Sequence, residues 1–248
     1  MASETPPMPD TKLPLDKKSS SIRAMFGDIA HCYDRLNHLL SLNVDRYWRW
    51  RTTRLVPPDL SGPHLDVCTG TGDLALAYHR AAGGKLEVVA TDFCAPMLVR
   101  GHAKAAGKIP FLVADTMRLP FPDASFRAVT VAFGLRNVAD TLAGLREMAR
   151  VCAPGGTLAV LEFSTPRPWP LRPLYLWYFR NILPVIGRWV SRSSDFAYSY
   201  LPASVAAFPE REALAAIFAE AGIPGATWRS LTFGIATLYW GRKPAGIP

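Results

Sequence analysis

The stretch Leu65-Asp66-Val67-Cys68-Thr69-Gly70-Thr71-Gly72-Asp73 constrains this chain more than any other. His64 to Cys68 is a short apolar run that reads as a strand, and Asp73 to Ala82 has helical character. The glycines between them let the backbone turn sharply and approach a ligand closely. The next apolar run, Leu86 to Thr91, ends at Asp92, 20 residues after Gly72. Strand, turn, helix and strand in this register form a βαβ unit. In such a unit Asp92 lies beside the glycine turn and accepts the ribose hydroxyl hydrogens of a nucleoside. The competing reading is a tight strand-to-helix turn with no ligand.

The alternation continues. A helix is predicted from Ala95 to Ala106 and another from Thr141 to Cys152, with strands at Pro110 to Ala114, Ala128 to Phe133 and Thr157 to Phe163. This rhythm predicts an α/β fold with a mostly parallel sheet and helices on both faces. Upstream, Ile29, Tyr33, Leu36 and Leu40 recur at helical spacing, so Ile22 to Leu40 reads as one amphipathic helix. A second helix runs from Asp45 to Leu55 and stops before Pro57-Pro58. After Phe163 the pattern breaks into a Pro/Trp-rich stretch, and residues 166–207 read as a helical lid insertion. A helix from Phe208 to Ala221 and a final strand from Ile235 to Trp240 complete the chain. Residues 1–20 read as a flexible tail and 21–248 as a single domain.

The 248 residues, 49% of them hydrophobic, carry enough apolar side chain for one large core, which excludes wholesale disorder. The formal charge of +8 favours anionic partners without choosing among nucleic acid, acidic lipid and phosphorylated substrates. Cys32, Cys68, Cys94 and Cys152 are far apart with no CxxC pair, so neither a metal site nor a disulfide framework is signalled. Arg172, Arg180, Arg188 and Pro184 interrupt the longest apolar-aromatic stretch, which makes it a poor bilayer span. With no signal segment, the expected compartment is the cytoplasm.

A dinucleotide and S-adenosylmethionine both suit a glycine turn followed by an acid. Dinucleotide sites favour a third glycine and admit a pyrophosphate at the helix N-terminus. Here Ala75 takes the third glycine's place, and Asp73 puts a negative charge where the pyrophosphate would go. That charge suits the cationic sulfonium and ammonium of S-adenosylmethionine, so electrostatics favour the methyl donor. Asp66, Gly70 and Gly72 belong to this predicted cofactor turn. Asp115-Thr116, after the third strand, would hold an adenine edge; the alternative for Asp115 is a turn cap.

Four stretches carry a family resemblance. They are Tyr33 to Ser41 with Arg46-Tyr47-Trp48; Gly70-Thr71-Gly72-Asp73-Leu74; Leu119 to Asp123 with Phe133-Gly134-Leu135-Arg136-Asn137-Val138; and Pro154-Gly155-Gly156 through Leu161-Glu162-Phe163-Ser164. The sequence resembles the UbiE/MenG quinone-biosynthesis C-methyltransferases, which are class I S-adenosylmethionine-dependent enzymes with a Rossmann-like sheet and an antiparallel C-terminal strand. The resemblance implies cofactor contacts at Thr71, Asp92, Asp115 and Thr116. It also marks Ala132, where the family often has Ser, as a cofactor position lacking one hydroxyl.

The implied reaction methylates a ring carbon of a polyprenyl quinol, either demethylmenaquinol or the benzoquinol precursor of ubiquinone. Another phenolic or lipid-like acceptor is the alternative. For the acceptor side the reading selects Arg136 to stabilise a developing phenolate, Asn137 to fix the second ring oxygen and Tyr33 to close over the ring. Its alternatives pair Arg136 with an acid such as Asp140, pack Tyr33 into the core, or use His31 or His38 as base. Leu171, Leu174, Tyr175, Trp177, Tyr178, Ile182, Val185, Ile186 and Trp189 with interleaved arginines suit a lid in peripheral contact with a membrane. A homodimer is a further expected partnership. A nucleic-acid role for Arg46, Arg49, Arg51 and Arg54 with Trp48 and Trp50 is the remote rival, since those arginines fall mostly on a solvated helix face.

Overall fold

The computed structural model describes residues 19–169, 173, 175, 177, 178, 181 and 195–246. Three helices open the described chain: α1 (Ser19–Ile29), α2 (Tyr33–Leu40) and α3 (Val44–Leu55). There follow β1 (His64–Asp66), α4 (Asp73–Ala81), β2 (Val88–Asp92), α5 (Ala95–Ala105), β3 (Phe111–Val113), β4 (Phe126–Ala132), α6 (Thr141–Val151) and β5 (Cys152–Phe163). The C-terminal part adds α7 (Asp195–Ala207), α8 (Glu212–Glu220), β6 (Thr227–Leu231) and β7 (Ala236–Arg242).

The seven strands lie in the order β3-β2-β1-β4-β5-β7-β6. β1 to β5 pair in parallel, whereas β7 runs antiparallel between β5 and β6. Chain order reverses between β1 and β4, and a crevice opens beyond the carboxyl ends of strands at such a switch point. Leu145, Met148, Leu158 and Phe218 belong to one core cluster, and Tyr78, Leu86 and Ile109 to another. Trp48 of α3 joins a third cluster with Phe133, Leu161 and Leu238, which seats the N-terminal helices on the sheet.

The single helix expected from Ile22 to Leu40 is two. Turns closed by Ala30 N on Gly27 O and Cys32 N on Ile29 O separate them. The apolar spacing hides this break because Ile29, Tyr33 and Leu40 all line the same cavity. Helix α1 begins at Ser19, inside the expected tail. The expected Phe208–Ala221 helix contracts to α8. Strand β6 was not foreseen: it is an edge strand of mostly exposed residues, so the sheet leaves little apolar signature on it. Residues 1–18 and the lid positions Leu171, Leu174, Ile182, Val185, Ile186 and Trp189 lie outside the described residues.

Candidate active site

Beyond the carboxyl ends of β1, β2 and β4 lies a cavity of about 620 Å³, within the usual range for small-molecule sites. Gly72 caps α4 with φ +80°, a conformation that glycine adopts without strain. A Cβ there would stand 2.7 Å from the Phe111 ring, so the helix packs too closely for any side chain. Gly72 thus shapes the turn into α4 that the sequence singled out, with the Phe111 ring packed behind it. Gly134 plays a similar role across the switch point: its Cβ would meet the Cys68 Cβ at 2.4 Å. The loops after β1 and β4 touch there, and Cys68 itself adopts a positive φ of 47°.

Asp92 at the end of β2 is 7% exposed and lines the cavity. Gly70 N donates to its Oδ2 and Cys94 N to its Oδ1, each at 2.8 Å. Burial outweighs these bonds and pushes its pKa up to about 6. Asp66 at the end of β1 accepts from Thr69 Oγ1 at 2.6 Å and Thr130 Oγ1 at 2.7 Å; burial raises its pKa to about 6 as well. Gly70, Asp115, Thr116 and Ala132 line the same cavity. Asp115 also caps its own turn, accepting from Met117 N at 2.9 Å, and Thr116 Oγ1 lies 3.1 Å from Cys68 Sγ.

Thr71 lines the cavity, yet its hydroxyl donates to Asp34 Oδ1 at 2.5 Å and accepts from Lys104 Nζ at 3.0 Å. Asp73 is likewise engaged: Lys104 Nζ lies 2.6 Å and Arg49 Nη2 3.5 Å from its carboxylate. Burial raises its pKa, but Arg49 and Lys104 outweigh burial and hold it below the usual range. The charge that the sequence appeared to offer a cationic cofactor is thus largely spent on the protein's own cations. Arg49 also pairs with the buried Asp45, which accepts from Ser41 Oγ and contacts His38 Nδ1 at 2.9 Å. Arg49 is only 11% exposed, so the expected solvated arginine face of α3 does not include it.

Asp34, His38, Asp45, Asp73, Arg49 and Lys104 form one chain of polar contacts joining α2, α3, α4 and α5. Sequence reasoning missed this chain because its members lie as far apart as residues 34 and 104.

Tyr33, Asn137 and Arg136 come together on the cavity wall. Tyr33 packs edge-on against Phe26 with ring centroids 5.9 Å apart, and burial raises its pKa, keeping it a neutral donor. Asn137 Oδ1 is buried and has no hydrogen-bond partner among the described residues, an acceptor open to a ligand. Arg136 is 6% exposed and pairs with Glu162 at 3.0 Å, not with Asp140. Asp140 caps α6 through Ala143 N instead. His31 is exposed and bonds to Asp28 O. Tyr175, Tyr200, Phe163 and Trp48 complete an aromatic compartment above this group.

The donor set fits S-adenosylmethionine. Two buried carboxylates present acceptors for hydroxyl and ammonium hydrogens, and Phe93, Met97 and Met117 offer apolar surface for a purine.

Comparison with known proteins agrees with this geometry. Residues 15–243 match the ubiE/COQ5 methyltransferase family. A Geobacter sulfurreducens ubiquinone/menaquinone biosynthesis C-methyltransferase is 45% identical, over 92% of this chain and 91% of its own. A Thermus thermophilus demethylmenaquinone methyltransferase is 46% identical over 89% of this chain and all of its own, and one from Porphyromonas gingivalis is 42% identical over 94% and 96%. Among solved structures, a Thermotoga maritima S-adenosylmethionine-dependent methyltransferase superposes with a TM-score of 0.63 at 16% identity, covering 90% of this chain and 99% of that one, which supports the fold. The mostly parallel sheet, the acid at the end of β2 and the extent of these matches lead to one conclusion: the chain belongs to the ubiE/COQ5 methyltransferase family.

Proposed function

We propose that this chain transfers a methyl group from S-adenosylmethionine to a ring carbon of a polyprenyl quinol, with demethylmenaquinol as acceptor. The observation that carries the reading is the cavity itself. A carboxylate-lined end at the switch point adjoins an aromatic compartment whose wall holds a buried cation, Arg136. The names of the Thermus and Porphyromonas relatives support the naphthoquinol, and the double name of the Geobacter relative keeps the benzoquinol as the second reading.

In this reading Asp92 accepts the ribose hydroxyls, Asp66 and Gly70 line the nucleoside end, and Asp115, Thr116 and Ala132 border the base. Bound S-adenosylmethionine supplies an electrophilic methyl group. The residues around the ring do the rest. Arg136 would stabilise negative charge on a ring oxygen as the hydroxyl proton passes to a water it orients, which pushes electron density onto the ortho carbon. That carbon gains the methyl as the methyl–sulfur bond breaks, and its own hydrogen then leaves as a proton to water. Asn137 Oδ1 accepts from the second ring hydroxyl, and Tyr33 holds the ring from the α2 side. The aromatic walls exclude water.

The isoprenoid tail leaves past Leu42, Trp177 and Phe233, which line the cavity yet are 78%, 54% and 69% exposed. No helix among the described residues is long and apolar enough to cross a membrane. The exposed rim supports peripheral contact, which flotation with anionic liposomes tests; a protein that stays at the bottom of the gradient contradicts it.

The deciding assay uses labelled S-adenosylmethionine with short-tailed demethylmenaquinol and the matching benzoquinol. Label in the naphthoquinol ring is the expected result. Label in both rings indicates service to two pathways, and none in either overturns the acceptor.

A further inference from the structure

Glu162 is a charged residue in the most deeply buried part of β5. It is 0% exposed, as are Val160 and Leu161 before it. It stands behind the cavity wall, whereas Arg136 forms part of that wall. Glu162 Oε1 accepts from the Arg136 backbone N at 3.2 Å, and Oε2 accepts from Arg136 Nη1 at 3.0 Å and Phe163 N at 3.1 Å. Nη1 also donates to the Phe133 carbonyl, and Cζ lies 5.3 Å from the centre of the Phe163 ring. The guanidinium is therefore gripped at Nη1, while Nε makes no hydrogen bond among the described residues.

The surroundings of the pair come from several elements. Tyr33 on α2, Tyr175 in the segment after β5 and Tyr200 on α7 all feel the Arg136 charge. Tyr200 and Cys68, in the loop after β1, feel Glu162. A phenol bound among these groups would experience the sum of the two charges, not Arg136 alone.

We infer that Glu162 is the positioning residue of the acceptor subsite, fixing the guanidinium of Arg136 at the cavity wall and moderating its charge, so that where the guanidinium stands matters more to the rate than how strongly it attracts an anion. This rests on the quinol reading above. A lone guanidinium in a dry cavity is free to turn toward any anion and away from the ring oxygen. A paired one leaves the neutral quinol alone and is already in place when charge develops on the ring oxygen.

The test needs a probe independent of methyl transfer. 4-Nitrophenol absorbs differently as phenol and as phenolate, so its titration midpoint in the cavity reports the local charge. In Glu162→Gln the uncompensated Arg136 lowers that midpoint by about one pH unit relative to wild type. The turnover of methyl transfer falls about 100-fold as the guanidinium loses its anchor, while the KM for S-adenosylmethionine stays within about threefold. Glu162→Asp keeps the charge but shortens the reach: the midpoint stays put and turnover falls about tenfold. Adding Glu162→Gln to Arg136→Gln costs no further activity, because the carboxylate acts through that arginine.

An unmoved nitrophenol midpoint in Glu162→Gln overturns the inference. So does wild-type turnover in Glu162→Asp, which decides the matter even where the glutamine variant does not fold. A midpoint that shifts in an enzyme methylating neither quinol would discard the acceptor assignment and leave the role of Glu162 standing.

Discussion

The Asp34 carboxylate accepts a 2.5 Å hydrogen bond from Thr71 Oγ1, and this bond joins the N-terminal helices to the glycine turn. Lys104 reinforces it, lying 2.7 Å from Asp34 and 2.6 Å from Asp73. Tyr33 precedes Asp34 on α2, so the residue proposed to hold the acceptor and the turn proposed to hold the cofactor are mechanically linked. Asp34→Ala should therefore raise the dissociation constant for S-adenosylmethionine about fivefold, about what one partly exposed charged bond contributes. Calorimetry checks this, and unchanged affinity would show the link to be inert.

Arg136→Lys is expected to lower methyl transfer about 100-fold with S-adenosylmethionine affinity within about twofold of wild type, since an ammonium lacks the planar fork. Arg136→Ala should add a fold defect of about 3–5 kcal/mol, because it strands the buried Glu162 carboxylate. Initial rates beside urea denaturation separate the two effects.

Gly134→Ala should destabilise the protein by about 1–3 kcal/mol, since its new methyl group collides with Cys68 Cβ, 2.4 Å away. Cys68→Gly removes that Cβ and relieves a positive φ of 47°. The double variant should recover most of the loss in thermal denaturation. Additive losses would place the strain elsewhere.

S-adenosylmethionine affinity should weaken about tenfold per pH unit below about 6, as Asp92 takes up a proton and ceases to be a double acceptor. Stability runs the other way for this group. Its carboxyl binds protons more tightly folded, at about 6, than at the ordinary value of 3.8, so its contribution to folding rises as pH falls between them. Titrating affinity in wild type and Asp92→Asn checks the assignment: the variant binds weakly, with a flatter pH dependence.

The sheet's parallel half was legible because each strand there is an apolar run closed by a turn, as at His64–Asp66 and Val88–Asp92. Tyr33, Asn137, Arg136, Asp66 and Asp92 were singled out from motifs, and the fold brings them to one cavity. The partners that restrain them were not legible. Thr71 was read as a ligand contact without its bond to Asp34, and Asp73 as a free charge without Lys104, because both partners are distant in sequence and close only after folding. Glu162 did leave a signal, a carboxylate inside the buried strand Leu158–Phe163, but nothing in the sequence tied it to residue 136.

The placement of β7 between β5 and β6 has a consequence for how this protein is made. Residues 157 to 163 of β5, among them Glu162, find their antiparallel neighbours only at residues 236 to 242. On the ribosome β5 therefore waits, one edge bare, until residues 236 to 242 emerge. A chain cut before Ala236 would carry strands β1 to β5 and an open, apolar strand edge, which is a template for aggregation.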